Sequence, residues 1–145
     1  FSNLARQKKE INVFEDGLES RDFVYIDDVV NANILCLNTS NSFSGPLNIG
    51  TGESVQVLKV ANTINEYFGS NSSINISGMF RIGDIRHNKA DINSARNIIG
   101  FKSEIDFYKG IKCFLVWTLT QDVPENYGFR KSLDELSDKG LFKNK

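Results

Sequence analysis

The chain has 145 residues, 40% of them hydrophobic and 24% charged, with a formal net charge of −1. That length supports one domain with a real core and excludes two full ones, and a near-neutral balance excludes a general nucleic-acid binder, which carries a basic excess. No apolar run approaches the roughly 18–20 residues of a membrane span, and the amino terminus lacks a signal-peptide h-region.

Along the chain, Glu10 to Phe14 is β-prone and Glu15-Asp16-Gly17 is turn chemistry. Phe23-Val24-Tyr25-Ile26 reads as a second strand, ended by Asp27 or Asp28 as the cap of a helix over about residues 28–38. Most of that helix's surface is apolar, which requires cover on a broad face. Pro46 to Gly50 reads as a short buried strand, closed by Gly50-Thr51-Gly52 as a strand-to-helix joint. Ser54 then caps a helix to about residue 69, whose Val57, Leu58, Ala61, Ile64 and Phe68 share one face of a 3.6-residue period. Ile74-Asn75-Ile76 alternates like a half-buried strand, and residues 78–90 are irregular. A short helix from Asp91 or Asn93 to Ile99 stops at a glycine, and residues 104–120 form the last large helix, apolar nearly all round toward its end. The tail from Ser132 has helical spacing in Leu133, Leu136 and Leu141 but high charge density. Strands alternating with helices make an α/β chain. Its strands are too few for a self-sufficient doubly wound sheet, and at least two helices carry more apolar surface than the chain can cover. A partner segment is the expectation.

Cys36 and Cys113 both sit in apolar sequence, without a CxxC or a histidine cluster, so the residues predict free thiols, no metal site and a reducing cytoplasm. His87 is the single histidine and has no Ser or Cys arrangement around it, so a nucleophilic triad is not predicted. Asp27 and Asp28 look like paired carboxylates, yet a helix cap explains them without acid–base work. Arg21-Asp22 reads either as a ligand group or as a surface ion pair worth about 0–1 kcal/mol.

Three motifs in order, Arg21-Asp22-Phe23-Val24-Tyr25-Ile26-Asp27-Asp28-Val29-Val30, Leu47-Asn48-Ile49-Gly50-Thr51-Gly52, and Arg81-Ile82-Gly83-Asp84-Ile85-Arg86 with Lys89-Ala90-Asp91, resemble the extended short-chain dehydrogenase/reductases. Within that family they are similar to the NAD-dependent nucleotide-sugar epimerases and dehydratases, over about Ile11 to Asp122. The resemblance implies the carboxy-terminal portion of such an enzyme: the last Rossmann elements plus a small substrate-binding domain, residues 1–122, followed by a marginally helical tail, 123–145. It implies an amino-terminal Rossmann half, outside this chain, that binds NAD and carries the Ser or Thr and the Tyr-x-x-x-Lys pair. Tyr127 with Lys131 has that spacing, but near the tail and off any catalytic-helix pattern, and reads as chance. Phe1 in place of a starting Met agrees with a fragment or a processed chain.

What the resemblance carries onto these residues is a substrate clamp. Arg21 and Arg81 would hold the diphosphate, since a planar guanidinium offers paired donors to phosphate oxygens. Asp84 would accept from ribose hydroxyls, and the backbone at Val13 and Phe14 would meet the base edge. Arg86 and His87 either neighbour the phosphate or face water. The implied substrate is a UDP- or dTDP-sugar; NAD serves the full-length enzyme, with none expected on this fragment, which alone would be inactive. Exposed apolar helix faces predict association with the absent half or between copies. The alternative is a non-catalytic nucleotide-binding or interaction module that keeps only the clamp; a sibling decarboxylase or reductase is a third reading.

Overall fold

The computed structural model describes residues 1–123 and 128–144. In chain order these form α1 (Ser2–Arg6), β1 (Ile11–Val13), β2 (Ser20–Arg21), α2 (Ile26–Asn38), β3 (Val55–Gln56), α3 (Val57–Tyr67), β4 (Ile74–Ile76), β5 (Met79–Arg81), α4 (Asn93–Ile99), α5 (Phe107–Thr118), α6 (Phe129–Asp138) and β6 (Phe142–Asn144). They divide into two compact units: residues 1–19, 56–86 and 115–145 form the first, and residues 20–55 and 87–114 the second. Tyr127, with its spacing to Lys131, lies outside the described residues.

The first unit is built on a strand–helix–strand turn. β1 and β4 pair in parallel, Ile11 opposite Ile74 and Val13 opposite Ile76. α3 joins them in sequence and buries Val60, Ala61 and Ile64; Ala61 and Ile64 lie on the face its periodicity foretells, whose Val57, Leu58 and Phe68 are half-buried, while Val60 lies off that face. Ile11, Val13 and Ala5 are buried with them, each large side chain contributing about 1.5–3 kcal/mol on leaving water. Gly17 fits here for two reasons: its φ of +77° is left-handed, and a Cβ would sit 3.0 Å from that of Leu58 on α3. β5 and β6 pair antiparallel, Arg81 opposite Phe142, so the segment expected to be irregular contains a strand that the tail completes. Arg6 closes the carboxyl end of α5, donating to the Thr118 carbonyl at 2.6 Å and the Gln121 carbonyl at 3.0 Å, where a cation also complements the helix dipole.

The second unit centres on Ala32, Ala95, Ile99 and Phe101, with Leu35, Cys36, Leu47 and Ile49 packed against them. α4 ends as its glycine foretells: Gly100 takes φ +69°, and the Phe101 amide reaches back to the Ala95 carbonyl at 3.3 Å. α2 presents Ala32, Leu35 and Cys36 to this core. Ile26, Val30, Ile34 and Leu37 stay exposed, Leu37 at 85%. At 3.6 residues per turn those four fall in a stripe about 80° wide.

Several sequence expectations are corrected. The strand expected at Phe23–Ile26 is not there; Tyr25 is the extended residue that precedes α2, and the strand is Ser20–Arg21. Phe23 instead lays its ring 5.7 Å from that of Phe107. Neither Asp27 nor Asp28 caps α2, which has no side-chain cap. Pro46 to Gly50 forms no strand: Leu47 and Ile49 reach the core from irregular backbone. Ser54 does not cap α3, which begins three residues later behind Gln56. Cys113 is exposed on α5 despite its apolar neighbours in sequence, while Cys36 is half-buried; both are free thiols.

Candidate functional site

Within the first unit, the β1 ladder leads into a tight turn in which the Gly17 amide donates to the Phe14 carbonyl at 3.1 Å. The Val13 side chain is buried, and its carbonyl accepts from both the amide (2.9 Å) and the hydroxyl (3.2 Å) of Ser77. The Phe14 ring lies 5.2 Å from that of Phe142 on β6. Over the same Phe14 ring sits the Arg81 guanidinium, 5.7 Å from the centroid, within the range of a cation–π attraction. Arg81 also donates to the Asp84 carboxylate at 3.0 Å, and its side chain is 49% exposed. Val13, Phe14, Arg81 and Asp84 therefore belong to one arm: a strand end, an aromatic ring, and a cation steadied by a carboxylate three residues on.

Arg86 has a different occupation. Its Nη1 meets Glu15 Oε2 at 2.7 Å and its Nη2 meets Asp16 Oδ2 at 2.6 Å. That contact, aided by the Leu18 amide, holds the Asp16 carboxyl below its ordinary range and raises the Arg86 guanidinium further still.

Arg21 lies in the second unit, at the end of β2, where its Nη1 donates to the Ser20 carbonyl at 2.9 Å. His87 sits beside the same strand: its Nδ1 is 3.0 Å from the Ser20 hydroxyl, and the Asn88 amide donates to the Ser20 carbonyl at 3.0 Å. The residue after Arg21 carries the structure here. Asp22 Oδ1 accepts from the Thr51 amide (2.8 Å) and hydroxyl (2.6 Å), while Oδ2 accepts from the amides of Gly52 (3.0 Å) and Ala90 (3.3 Å). Gly50 is what admits that carboxylate, because a Cβ there would stand 2.6 Å from Asp22 Oδ2 and from the Ala90 Cβ.

The Gly50-Thr51-Gly52 loop thus cradles an anion, but an internal one. Its Thr51 and Gly52 amides already receive Asp22, so this loop does not fit the pyrophosphate of a dinucleotide. Asp28 is similarly structural. It is buried and accepts from the Ser103 hydroxyl (2.8 Å) and the amides of Glu104 (3.2 Å) and Ile105 (3.1 Å).

A further pair at Tyr-x-x-x-Lys spacing, which the motif reading above does not single out, is Tyr108 with Lys112. Tyr127 with Lys131 is therefore not the sole pair at that spacing. Both residues are exposed on α5, and the Tyr108 ring meets that of Phe107 edge-on at 5.3 Å. An exposed phenol has none of the desolvation that strengthens charge interactions at a reacting centre, and we assign the pair no catalytic role. Among the described residues no helix is long and apolar enough to cross a membrane, and no three His, Cys, Asp or Glu side chains gather as metal ligands.

Comparison with known proteins gives a consistent picture. A sequence model of the NAD dependent epimerase/dehydratase family matches residues 1–50. The dTDP-L-rhamnose 4-epimerase of Burkholderia thailandensis is 35% identical over 117 residues, 81% of this chain and 32% of that protein. A putative UDP-glucose 4-epimerase of Methanocaldococcus jannaschii is 36% identical over 105 residues, 72% of this chain and 33% of that one. Among solved structures, MoeE5 in complex with UDP-glucuronic acid and NAD superposes with a TM-score of 0.73 at 31% identity, over 81% of this chain and 40% of its own. The chain spans about a third of the length of the curated relatives it matches.

Proposed function

Because the chain belongs to the NAD dependent epimerase/dehydratase family and aligns to the carboxy-terminal ~35–40% of its short-chain dehydrogenase/reductase-fold epimerases, we propose that it is the nucleoside-diphosphate-sugar-binding part of an NAD-dependent nucleotide-sugar epimerase or 4,6-dehydratase. The 4-epimerase reading is the stronger, since the relatives named above carry that activity in their names. The substrate is a UDP- or dTDP-sugar. Arg21 and Arg81 hold the diphosphate, Asp84 accepts from the ribose hydroxyls, and the backbone at Val13 and Phe14 meets the base edge.

The observation that carries this reading is Arg81: a half-exposed guanidinium over an aromatic ring, with Asp84 3.0 Å away. A charge-assisted fork of this kind is what a phosphate oxygen selects, and a carboxylate next to it suits a neighbouring sugar hydroxyl. Residues 1–122 form this binding part and 123–145 its tail. NAD belongs to an amino-terminal half with which α2 and α5 pack. The exposed Ile26, Val30, Ile34 and Leu37 on α2 supply the apolar face for that contact. Without that half the chain is catalytically silent, and those faces drive self-association. Its compartment is the cytoplasm.

The test is a calorimetric titration of the chain with UDP, dTDP and NAD. Binding of one nucleoside diphosphate, lost in Arg81→Ala, with no heat from NAD, supports the reading. A folded chain that binds neither diphosphate overturns it.

A further inference from the structure

Glu15 is a non-glycine residue held in the left-handed region, with φ at +46°. For an L side chain that conformation persists only where its surroundings over-determine it. Here they do. The Glu15 amide donates to the Met79 carbonyl at 2.9 Å, and the Glu15 carbonyl accepts from the Gly78 amide at 3.1 Å. The side chain is tied as well, since one guanidinium bridges two consecutive carboxylates, Glu15 at 2.7 Å and Asp16 at 2.6 Å. These groups, with Phe14 and Arg81, all lie in the first unit.

We infer that Arg86 is a positioning residue for the nucleotide site, a latch that holds the strained Glu15 turn and through it the Phe14 ring beneath Arg81. This rests on the reading of Arg81 and Phe14 as nucleotide contacts proposed above. Arg86 is not itself a phosphate ligand. Its positive charge is already engaged by two carboxylates, Glu15 and Asp16. Both terminal nitrogens are taken up by these bonds, so turning them as a pair toward a phosphate would cost the turn its side-chain anchor. The order of the chain fits the same assignment. Arg81, Asp84 and Arg86 sit on one short segment, so a guanidinium fastened at Glu15 and Asp16 also fixes how that segment meets the end of β1.

The experiment compares the wild-type chain with Arg86→Gln, Arg86→Lys, and Arg86→Gln combined with Glu15→Gly, after circular dichroism has shown which variants fold. Two readouts are taken: hydrogen exchange at the Glu15 and Gly78 amides, which needs no ligand, and calorimetric affinity for UDP and dTDP. Arg86→Gln is expected to speed exchange at both amides and weaken binding, each by about tenfold. Arg86→Lys falls between, because one ammonium cannot span both carboxylates, and it carries the test if the Gln variant does not fold. Glycine at position 15 takes the left-handed turn without strain, so the double variant recovers most of the lost affinity. A lost phosphate contact would not be restored that way.

Unchanged affinity in Arg86→Gln overturns the latch while leaving the nucleotide reading intact. Lost affinity with unchanged exchange and no recovery by Glu15→Gly overturns it in favour of a direct phosphate contact. If the wild type binds neither UDP nor dTDP, the nucleotide reading fails first and the positioning role fails with it.

Discussion

One oxygen of Asp22 receives both the amide and the hydroxyl of Thr51, at 2.8 and 2.6 Å. A side chain immediately after a candidate phosphate ligand therefore organises a loop 29 residues away. Asp22→Ala leaves the amides of Thr51, Gly52 and Ala90 without their acceptor, and is expected to destabilise the chain by about 3 kcal/mol. Gly50→Ala drives a methyl group into the same carboxylate and should cost about 2 kcal/mol or more. Urea denaturation of both variants checks this; a Gly50→Ala midpoint equal to wild type would mean the loop has slack that its close contacts do not show.

Asp27 and Asp28 offer a sharper contrast. Asp28→Ala removes the acceptor of the Ser103 hydroxyl and of two amides in a buried setting, for an expected loss of about 3 kcal/mol. Asp27 is exposed at the first turn of α2, where a carboxylate contributes only about 0.5 kcal/mol through the helix dipole. Equal effects in thermal melts of the two variants would restore the helix-cap interpretation.

Acid should undo the Arg86 bridge at a predictable point. Arg86 and the Leu18 amide depress the Asp16 carboxyl, so its folded value lies below its unfolded one. The stabilisation is fully present above the unfolded value of about 3.9 and disappears as pH falls through the folded value. This contribution should not change between neutrality and mild acid. Carbon-13 titration of the Asp16 carboxyl reads the midpoint directly, and Arg86→Gln is expected to move it back up.

The apolar stripe of α2 gives a fourth expectation. Leu37 is 85% exposed, so Leu37→Lys removes little packing and should shift stability by less than about 0.5 kcal/mol. With Ile34→Lys added, the chain should sediment as a smaller species at high concentration. A wild-type chain that is already monomeric at those concentrations would refute the self-association reading.

What the sequence discloses of this fold depends on the range of each interaction. The apolar face of α3 and the glycine stop of α4 are local periodicities, readable residue by residue. Arg81 and Asp84 pair three residues apart, a contact short enough to be local, yet their part in a site came from the family resemblance and not from the spacing. Phe23-Val24-Tyr25-Ile26 misled because β-prone side chains also serve to pack, and here Phe23 meets Phe107 with no neighbouring strand to form a ladder. Asp28 misled for the opposite reason: a carboxylate at a helix start satisfies a local rule, while its true donors lie 75 to 77 residues further along. The Arg86 bridge joins groups 70 and 71 residues apart, which no window of sequence exposes. Under the proposed reading, the choice of nucleotide has no side-chain signature, because backbone groups would read the base.

The two units are each assembled from separated stretches, three for the first and two for the second. Neither can be excised by a single cut, and removing either end of the chain takes material from the first unit at once. During synthesis, residues 1–19 must wait for 56–86 before β1 finds β4, and for 115 onward before Arg6 finds the end of α5. Contacts of such separation make for late, slow closure. Nascent chains stalled before Leu115 would hold an unfinished first unit, with its apolar surface open to chaperones.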